Sequence, residues 1–455
     1  MNYSKWISKK EMKENLEEFH LDKKEKITGV PLLYEENTLY LSTKDSHNLI
    51  IGSTGSGKTQ SIILPEIKLS INAKESLIIN DPKKDIYERV AKECKKEGYE
   101  IIVIDLEDTR YGNHWNPLSL PYSLYKEGNI DKAIDTIDDL GYYLFEEGNN
   151  KELDPYWTNS VINYFTGMVL YLFEKGKEEE INLSSVESLS NITIMDKKDI
   201  FLKEIEKNKT IYRKISSILK APTETRGSIL SVFNQKISKY ITKSNLEELL
   251  SKSDYSMDDI LMKPTVVFIV SGLEEISYNI IPLYVNQLIS LASTKKEYPQ
   301  KVNIILDEFD YFLPIKNFSS ILAYSRSLKI RLTVAVQSFI HLQNMYSKEA
   351  VEILKMCFGN LIYLLSDDIY TLEEISKYCG EKEVDGKILP LISKEELKTL
   401  KPFEAIVIMS RNHPFKTELL PDYKMNWEFE EEKEQLELRK QEEIKIFEYK
   451  EWKNL

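Results

Sequence analysis

The stretch LIIGSTGSGKTQSIILPEI, which runs from Leu49 to Ile67, decides the fold. It consists of an apolar run, a glycine-rich turn and a helix-compatible segment. Gly52, Gly57, Lys58 and Thr59 fit the pattern G-x-x-x-x-G-K-[ST]. Because this pattern lies between a strand-like and a helix-like segment, it predicts a phosphate-binding loop rather than a chance glycine-rich turn.

This loop predicts a site for a nucleoside triphosphate. Its glycines let backbone N–H groups surround the phosphates, and the following helix adds the positive end of its dipole. Lys58 is expected to contact the β- and γ-phosphates, and the Thr59 hydroxyl is expected to bind Mg²⁺. The predicted ligands are therefore ATP and Mg²⁺. The predicted nucleotide-contacting residues are Gly52, Ser53, Thr54, Gly55, Ser56, Gly57, Lys58, Thr59 and Gln60.

Hydrolysis also needs an acidic residue at the end of a neighbouring buried strand, and VNIILDEFD supplies two. We expect Asp307 to hold Mg²⁺ through its water shell and Glu308 to orient or deprotonate the attacking water. A strand-end Asp-Glu pair by itself is often only the start of a loop. Its combination with the P-loop predicts catalysis. Asp81 and Asp105 follow other predicted strands, and we interpret them as loop and cap residues.

Two further polar residues have more than one interpretation. Gln337 ends the apolar run RLTVAVQS beside the predicted P-loop strand, so it either senses the γ-phosphate or only terminates a strand. Arg326 falls near the end of a predicted helix. There it either projects into the phosphate site of a neighbouring subunit or is an ordinary surface arginine. Spacing alone does not separate these interpretations.

Apolar runs alternate with helix-length segments in two parts of the chain, which predicts an α/β fold with a mostly parallel central sheet. The predicted strands lie at 47–53, 76–85, 100–108, 265–272, 302–310, 331–338, 360–367 and 404–415, the last of which closes the sheet. Long helical patterns between them predict an inserted all-α domain. The predicted divisions are an N-terminal helix and hairpin at 1–45, a nucleotide-binding domain at 46–115 and 254–425, the all-α domain at 116–253 and a charged tail at 426–455.

Composition limits the location and the class of protein. The 455 residues carry a formal net charge of −13, which argues against a chain that simply coats nucleic acid. Three scattered cysteines form no disulfide or metal-binding pattern, so we expect a reducing cytoplasm. The charged N-terminus is not a signal peptide. The most apolar stretch, Val161 to Phe173, is too short to span a bilayer and predicts a buried helix.

Two charged regions each have two interpretations, one as a functional contact and one as solvent-exposed surface. The tail WEFEEEKEQLELRKQEEIKIFEYKEWKNL is helix-prone, and predicts either a solvated, fraying helix or a helix that docks on a partner. Lys83 and Lys84 follow a predicted strand at a pore or nucleotide rim. The helical region has local basic character. Each basic group is either a DNA contact or a solvated face. The basic residues of the helical region are Lys214, Lys220, Arg226, Lys236 and Lys239.

Together these residues resemble the type IV coupling proteins, the TraG/TraD-type ATPases of conjugation and type IV secretion, over most of the chain. The segments that carry the resemblance are HNLIIGSTGSGKT, SLIINDPKKDIYE, HWNPL, LDEFDYFLPIKNFSSILAYSRSLKIRLTVAVQS and LKPFEAIVIMSRNHPF. The P-loop alone is unspecific, whereas this ordered set is specific. The resemblance implies a RecA-like motor domain, a homo-hexameric ring and ATP-driven handling of DNA with an attached relaxase. It also implies that Arg326 is an arginine finger acting in trans, and that the all-α domain recognises relaxase or other cargo.

The chain departs from this family in two respects. Family members usually carry transmembrane helices before the motor domain, whereas this sequence begins with charged residues. We therefore expect a cytoplasmic protein that lies at the inner face of the membrane through channel components or a separate anchor subunit. The arginine also lies in YSRS, where the family more often has a preceding glycine. Two alternatives stay open, an ATP-switched adaptor that delivers substrates to the channel and an FtsK/HerA-like double-stranded DNA translocase.

Overall fold

The structure is a computed structural model. It describes residues 3–23, 25–146, 155–194, 198–272, 274–427, 429 and 434–449. The chain divides into two compact units. Unit 1 consists of residues 1–102, 258–270 and 295–435, and unit 2 of residues 103–257, 271–294 and 436–455.

The strands form mainly one sheet of unit 1. In chain order they are β1 (Glu17–His20), β2 (Val30–Glu35), β3 (Thr38–Ser42), β4 (His47–Gly52), β5 (Ser76–Asn80), β6 (Glu100–Asp105), β7 (Thr265–Val270), β8 (Val302–Leu306), β9 (Ile330–Val336), β10 (Phe358–Leu365), β11 (Glu381–Val384), β12 (Lys387–Pro390), β13 (Glu404–Met409) and β14 (Phe415–Glu418). Among the described residues, nine of these strands make one sheet in the order β14-β13-β10-β4-β9-β8-β5-β7-β6, whose last strand begins in unit 1.

The centre of this sheet is parallel, as the sequence predicts. From β10 through β4, β9, β8 and β5 to β7, each strand pairs in parallel with the next. Every residue of β4, β5, β7 and β8 is buried, which explains their nearly continuous apolar sequence. Because these strands run in one direction, the residues that follow β4, β5, β8 and β9 meet at one edge. We call this the carboxyl edge, and the opposite one the amino edge.

The closing strand predicted at 404–415 is wrong in one respect. Two antiparallel strands, β13 and β14, replace it, and β14 is the terminal strand of the sheet. The chain reverses between them at Arg411, which has a left-handed backbone with φ 67°. Pro414 follows, and a proline cannot donate a ladder hydrogen bond, so one continuous strand is interrupted here.

The predicted N-terminal helix and hairpin are confirmed. The helix Lys9–Lys13 begins at Ser8, whose side chain forms a capping box with Glu11. β2 and β3 form an antiparallel hairpin, and Glu36 and Asn37 take positive φ angles in its two-residue turn. β1 adds a third strand against β3, which the sequence analysis does not predict.

Helices cover the sheet of unit 1. Asp81 accepts a hydrogen bond from the Tyr87 N–H at 2.7 Å and so caps the helix that follows β5, which confirms its interpretation as a cap residue. A buried ion pair, Lys68 to Asp422 at 2.9 Å, fastens the helix that follows the P-loop. The α-helices of unit 1 are Lys9–Lys13, Leu64–Asn72, Asp85–Lys96, Asp259–Met262, Phe318–Ser325, Phe339–Met345, Lys348–Cys357, Ile369–Cys379 and Lys394–Lys398.

Unit 2 is built mainly from helices. They are Ser119–Lys126, Ile130–Phe145, Pro155–Lys175, Leu183–Ile194, Lys198–Ile205, Lys209–Leu219, Thr223–Ile241, Ser244–Leu249 and Glu275–Thr294. The apolar stretch from Val161 to Phe173 lies inside the third of these and is largely buried, as predicted. Among the described residues, no helix is long and apolar enough to cross a membrane. The domain limits 116 and 253 stay predictions.

The segment HWNPL begins the helical region and is held by hydrogen bonds. Asn116 donates to the carbonyl oxygens of Ile181 and Ser251 at 2.5 and 3.1 Å, and accepts from the Leu118 N–H at 2.9 Å. Because one buried amide joins three separate parts of the backbone, its role in this chain is structural.

Several of the basic residues in unit 2 have partners within the unit, two lysines among them. Lys214 pairs with Asp138 at 2.8 Å, and Lys220 donates to the Tyr212 hydroxyl. These contacts favour the interpretation of a structured surface over a DNA contact for these two lysines.

The prediction of a helical tail is wrong over residues 434–449, the part of the tail that the structure describes. This segment contains no helix there. Phe447 and Tyr449 are buried, and the Arg439 side chain is 8% exposed. These three side chains find fixed partners in unit 2. Their contacts outweigh the weak intrinsic helix preference of the charged sequence.

Candidate nucleotide-binding site

The loop after β4 needs its glycines. Gly55 and Gly57 have φ angles of 79° and 98°, which favour glycine. A Cβ atom on Gly57 would lie 2.9 Å from the Phe403 ring, and one on Gly52 would lie 2.3 Å from the Ser56 hydroxyl oxygen. The loop therefore has a backbone that larger residues cannot take at these positions.

Lys58 lies beneath this loop and is almost completely buried. Its Nζ donates to the carbonyl oxygens of Gly52 at 2.6 Å and Ser53 at 3.4 Å. Burial lowers the pKa of Lys58, while nearby carboxylates, of which Asp307 has the largest effect, act in the opposite direction. The ammonium group is thus held inside the loop, where a bound phosphate would offer it a stronger partner.

The helix after the loop begins with a π-helical turn, Thr59–Ile63. The Leu64 N–H bonds to the Thr59 carbonyl, five residues back. Pro65 follows, and it has no N–H to donate to the carbonyl four residues earlier, so a wider turn is accommodated here.

Thr59 and Asp307 come together although 248 residues separate them in sequence. The Thr59 hydroxyl donates to Asp307 Oδ2 at 2.8 Å. Asn80, at the end of β5, donates to the Asp307 carbonyl at 2.7 Å and fixes the start of the loop after β8. A hydroxyl and a carboxylate at this position suit Mg²⁺, which takes few protein ligands and keeps waters and substrate phosphates.

Glu308 faces the same cleft from a left-handed backbone with φ 53°. Burial and the neighbouring Asp307 charge raise the pKa of Glu308, and the cations of Lys83 and Lys58 partly oppose this increase. A raised carboxyl pKa in a cleft suits a group that accepts a proton from water. Its left-handed backbone is strained for a residue with a side chain, which is common at functional sites.

A cleft of about 160 Å³ lies beside these residues. Lys83 lines it, which favours the nucleotide-rim interpretation of this residue over the pore-rim one. Lys84 lies just outside and starts the helix Asp85–Lys96 with a φ angle of 62°. The lining residues are Thr59, Gln60, Leu64, Asp81, Pro82, Lys83, Asp85, Ile86, Arg89, Asp307 and Glu308.

Three buried polar atoms near this cleft lack a hydrogen-bond partner within the described part of the chain. They are Ser56 Oγ, Gln60 Oε1 and Asn80 Oδ1. Buried polar atoms are normally paired, so three unpaired ones beside an open cleft suit a polar ligand there. The donor set therefore fits a nucleotide with Mg²⁺. Thr54 and Gly55 lie exposed at the tip of the loop, and Ser53 is held by its N–H to the Leu365 carbonyl at 2.8 Å.

Sequence reasoning missed a pair of residues next to Gln337. Asp310 Oδ2 accepts the Gln337 N–H at 2.8 Å and contacts His341 Nδ1 at 2.9 Å. Asp310 thereby links the loop after β8 to the end of β9. The Gln337 side chain reaches the Tyr311 hydroxyl at 3.3 Å. The fourth residue of DEFD is a visible signal, but only the paired strand ends show that it meets His341.

Arg326 lies at the opposite edge of the sheet. It is exposed, and its guanidinium donates to the Cys357 carbonyl at 3.0 Å. His47 supports the helix that precedes Arg326. Its Nε2 bonds to the Leu322 carbonyl at 2.7 Å, and its Nδ1 accepts the Leu332 N–H at 3.0 Å. Burial lowers the pKa of His47 to about 4, so the ring is neutral.

A P-loop at the carboxyl edge of a parallel sheet, with an Asp-Glu pair on a neighbouring strand, defines the chain as a P-loop protein of the α/β class. Residues 4–389 match the family described as "Type IV secretory system Conjugative DNA transfer". The chain belongs to this family, which confirms the resemblance seen in the sequence. No curated protein sequence matches the chain significantly.

Solved structures share this fold. The bacterial conjugative coupling protein TrwBdeltaN70, in its unbound form, has a TM-score of 0.69 at 14% identity over 92% of this chain and 93% of its own. TrwB in complex with ADP and Mg²⁺ has a TM-score of 0.67 at 16% identity, over 97% of this chain and 96% of its own. VirB4 of Thermoanaerobacter pseudethanolicus has a TM-score of 0.50 at 14% identity over 87% and 96%. At these identities the likeness shows the fold.

Proposed function

We propose that this protein is a Mg²⁺-dependent ATPase that drives DNA, or DNA with an attached relaxase, into a type IV secretion channel. The observation that carries the proposal is the contact between Thr59 and Asp307 at 2.8 Å, with Lys58 and Glu308 at the same cleft. Family membership supports conjugative DNA transfer, and the TrwB complexes with ADPNP and with ADP and Mg²⁺ support the choice of ligand.

The residues predicted to bind and hydrolyse the nucleotide have proposed roles in this reaction. Lys58 binds the β- and γ-phosphates after leaving the loop carbonyls. Thr59 and Asp307 hold Mg²⁺, which when bound neutralises charge on the transferred phosphoryl group. Glu308 orients the attacking water and accepts its proton, and Gln337 senses the γ-phosphate. The loop 52–60 supplies N–H groups to the phosphates.

Arg326 is proposed to act in trans on the nucleotide of a neighbouring subunit in a homo-hexameric ring. Support comes from its exposure at the amino edge, because β9 spans about 20 Å between the two edges at roughly 3.3 Å per residue. A side chain of this length cannot reach the P-loop of its own subunit. An arginine supplied by another subunit stabilises the charge of the transition state.

The proposal also covers the partners of the protein. The helical region 116–253 is proposed to bind relaxase or other cargo, and channel components or a separate anchor subunit to hold the ring at the inner face of the membrane. A cytoplasmic location follows from that arrangement. An ATP-switched adaptor would need the same binding loop but no catalytic base, so retention of Glu308 favours the motor.

The test is ATP hydrolysis by the wild-type protein and Glu308→Gln, with and without single- and double-stranded DNA, while light scattering reports the oligomeric state. We expect DNA-stimulated turnover that appears with ring formation. Glu308→Gln should lower it by about 10²- to 10⁴-fold while nucleotide binding persists. Asp367→Asn is the matched control, because this carboxylate also follows a strand of the sheet but is 81% exposed. Tight ATP binding without turnover in any DNA condition would contradict the motor and favour the adaptor.

A further inference from the structure

The C-terminal segment Leu438–Tyr449 lies on unit 2 without forming a helix or a strand, and its side chains are buried unevenly. We call this segment the strap. The Arg439 side chain, Phe447 and Tyr449 are buried, whereas the residues at 440–443 are exposed. Widely spaced anchors joined by exposed residues are typical of an extended peptide ligand on a preformed surface.

The first anchor is Arg439, which enters a polar pocket. Its guanidinium donates to the carbonyl oxygens of Tyr111 at 2.9 Å and Thr109 at 2.5 Å, and to Glu248 Oε2 at 2.8 Å. Its own backbone N–H donates to the Arg110 carbonyl at 2.9 Å. This pocket uses several donors of a planar guanidinium, so it selects arginine over lysine.

Glu248 is itself held in place from the other side. His114 Nε2 contacts its second carboxylate oxygen at 2.7 Å, and His114 Nδ1 contacts Asp254 at 2.8 Å. Burial acts to raise the pKa of Asp254, but hydrogen bonds from the His114 ring and main chain hold it below its usual value. Glu248 is therefore held by His114 as well as by the strap, so one wall of the pocket is fixed by contacts within the rest of unit 2.

Further along the strap, side chains of unit 2 form hydrogen bonds with its backbone. The Asn182 side chain donates to the Lys445 carbonyl at 2.8 Å, and the Phe447 N–H donates to the Ser185 hydroxyl at 2.9 Å. These bonds go to main-chain groups, so they are independent of the strap's sequence. Any extended segment in this position could form them.

The last anchor is aromatic. The Tyr449 hydroxyl donates to Glu204 Oε2 at 2.6 Å, and its ring lies 6.4 Å from Phe201 and 6.5 Å from Tyr171, centre to centre. Tyrosine suits this position because the ring packs on aromatic neighbours while the hydroxyl reaches a carboxylate.

An open groove of about 560 Å³ continues beside Ile446 of the strap. Its lining is rich in hydroxyls and amides and includes two carboxylates but no cation. This charge favours an occupant with basic or donor side chains. The lining residues are Ser184, Glu187, Ser188, Asn191, Asn234, Ser238, Ile241, Thr242, Glu247 and Ile446.

We propose that unit 2 carries a peptide-binding groove, which its own strap occupies as a ligand in cis. The groove takes extended segments of a partner protein in which an arginine is followed eight and ten residues later by aromatic residues, as Arg439 is followed by Phe447 and Tyr449. Such a segment enters when it displaces the strap. This site is independent of the nucleotide cleft and of ATP hydrolysis.

The test keeps the complete chain and introduces a protease site between Trp427 and Glu434. After cleavage, the strap is held only by its non-covalent contacts. A fluorescent peptide of residues 434–449 is added without nucleotide, and its binding is followed by anisotropy. We expect the peptide to bind the cleaved protein and not the uncleaved one, because the tethered strap competes at high effective concentration.

Peptide variants decide whether the anchors carry the binding. Arg439→Ala and Tyr449→Ala should each weaken the affinity by about 10- to 100-fold, whereas Lys440→Ala, at an exposed position, should not change it. Arg439→Lys should bind as weakly as Arg439→Ala, so lysine should not recover the affinity that is lost without the arginine.

Two outcomes would overturn the proposal. In one, the cleaved strap does not exchange with the peptide, which would make it a permanent structural element. In the other, release of the strap removes the helical circular dichroism of the protein, which would make it part of the core. Neither outcome affects ATP turnover as a test of the proposed motor, so failure of one proposal is distinguishable from failure of the other.

Discussion

Polar side chains at the two edges of the unit 1 sheet differ in what they are bonded to. At the carboxyl edge, Lys58 bonds to carbonyls of its own loop, and partial burial and the Asp307 charge raise the pKa of Glu308. At the amino edge, both ring nitrogens of His47 are bonded to backbone groups. The carboxyl edge is prepared for a ligand, whereas the amino edge is prepared to hold its own backbone.

This difference indicates how one sheet serves two sites. Unpaired buried polar atoms cost free energy unless a ligand pairs them, so those beside the P-loop suit a ligand-binding edge. Buried polar atoms that are bonded to the backbone, as in His47, hold the backbone in place. They therefore suit an edge that supports an exposed residue such as Arg326. In our proposal the carboxyl edge receives the nucleotide, and the amino edge donates Arg326 to a neighbouring subunit. We call them the receiving edge and the donating edge.

The largest expected effect comes from the donating edge. Arg326→Ala should lower DNA-stimulated turnover by roughly 10³- to 10⁵-fold, because the transition state loses a cation supplied in trans. Mixing this variant with Glu308→Gln should restore part of the turnover. In mixed rings an intact cleft then lies next to an intact arginine. Phosphate release at varied mixing ratios is the measurement.

Lys329→Ala is the matched control, because this residue is an exposed cation three positions away at the same edge. It should keep turnover near that of the wild type. Loss of turnover in Arg326→Ala without any restoration on mixing would contradict action in trans.

The second prediction concerns Asp310, which links the loop after β8 to the end of β9 at the receiving edge. Asp310→Ala should lower kcat by about 10- to 100-fold with little change in KM, because Gln337 loses the acceptor of its N–H and shifts relative to the phosphate. Asp310→Asn keeps an acceptor oxygen, so its loss should be smaller. A change in KM with an unchanged kcat would show that Asp310 acts in binding instead.

The third prediction tests the donating edge through pH. The pKa of His47 is lowered to about 4, so the folded state binds this proton less readily than the unfolded state, with its ordinary value of 6.5. Its contribution to stability is therefore complete above pH 6.5 and is lost as pH falls towards about 4. From about pH 7.5 to about pH 5 the loss should be about 2 kcal/mol.

Urea unfolding at both pH values measures this loss, with His47→Gln as the comparison. The variant should be less stable at the higher pH but should lose about 2 kcal/mol less between the two. An identical pH dependence in both proteins would show that His47 is not the responsible group.

The smallest expected effect is at the rim of the receiving edge. Lys83 lowers the pKa of Glu308, so Lys83→Ala should move the acid limb of the pH–rate profile to higher pH. Because Lys83 is exposed, the shift should be less than about one pH unit. Lys301→Ala, an exposed cation near the amino edge, should leave the limb in place. A limb that moves to lower pH would contradict the electrostatic explanation.

Much of the receiving edge could be predicted from sequence. The P-loop pattern encodes its own backbone, with glycines at the positive φ angles of positions 55 and 57. Asp307 and Glu308 follow a buried strand, and parallel strands bring their ends to one edge. The family resemblance rests on the same local segments. These predictions succeed because a short stretch of residues determines each of them.

Other features depended on contacts that local patterns do not encode. The sequence of the tail is helix-prone, yet its described part is not helical, because Arg439 meets Glu248 across 191 residues. Likewise, Asp310 meets His341 only after two strands have paired. The single closing strand predicted at 404–415 became two strands at a turn with a positive φ angle.

By itself, the sequence determined that this chain is an α/β P-loop protein of the conjugative transfer family, because strand periodicity and glycine positions act over a few residues. Only the tertiary structure decided which edge each charged group occupies, which polar atoms are left unpaired and where the tail lies. Those outcomes depend on burial and on pairing between distant segments, and the free energy of a charge depends on its surroundings more than on its neighbours in sequence.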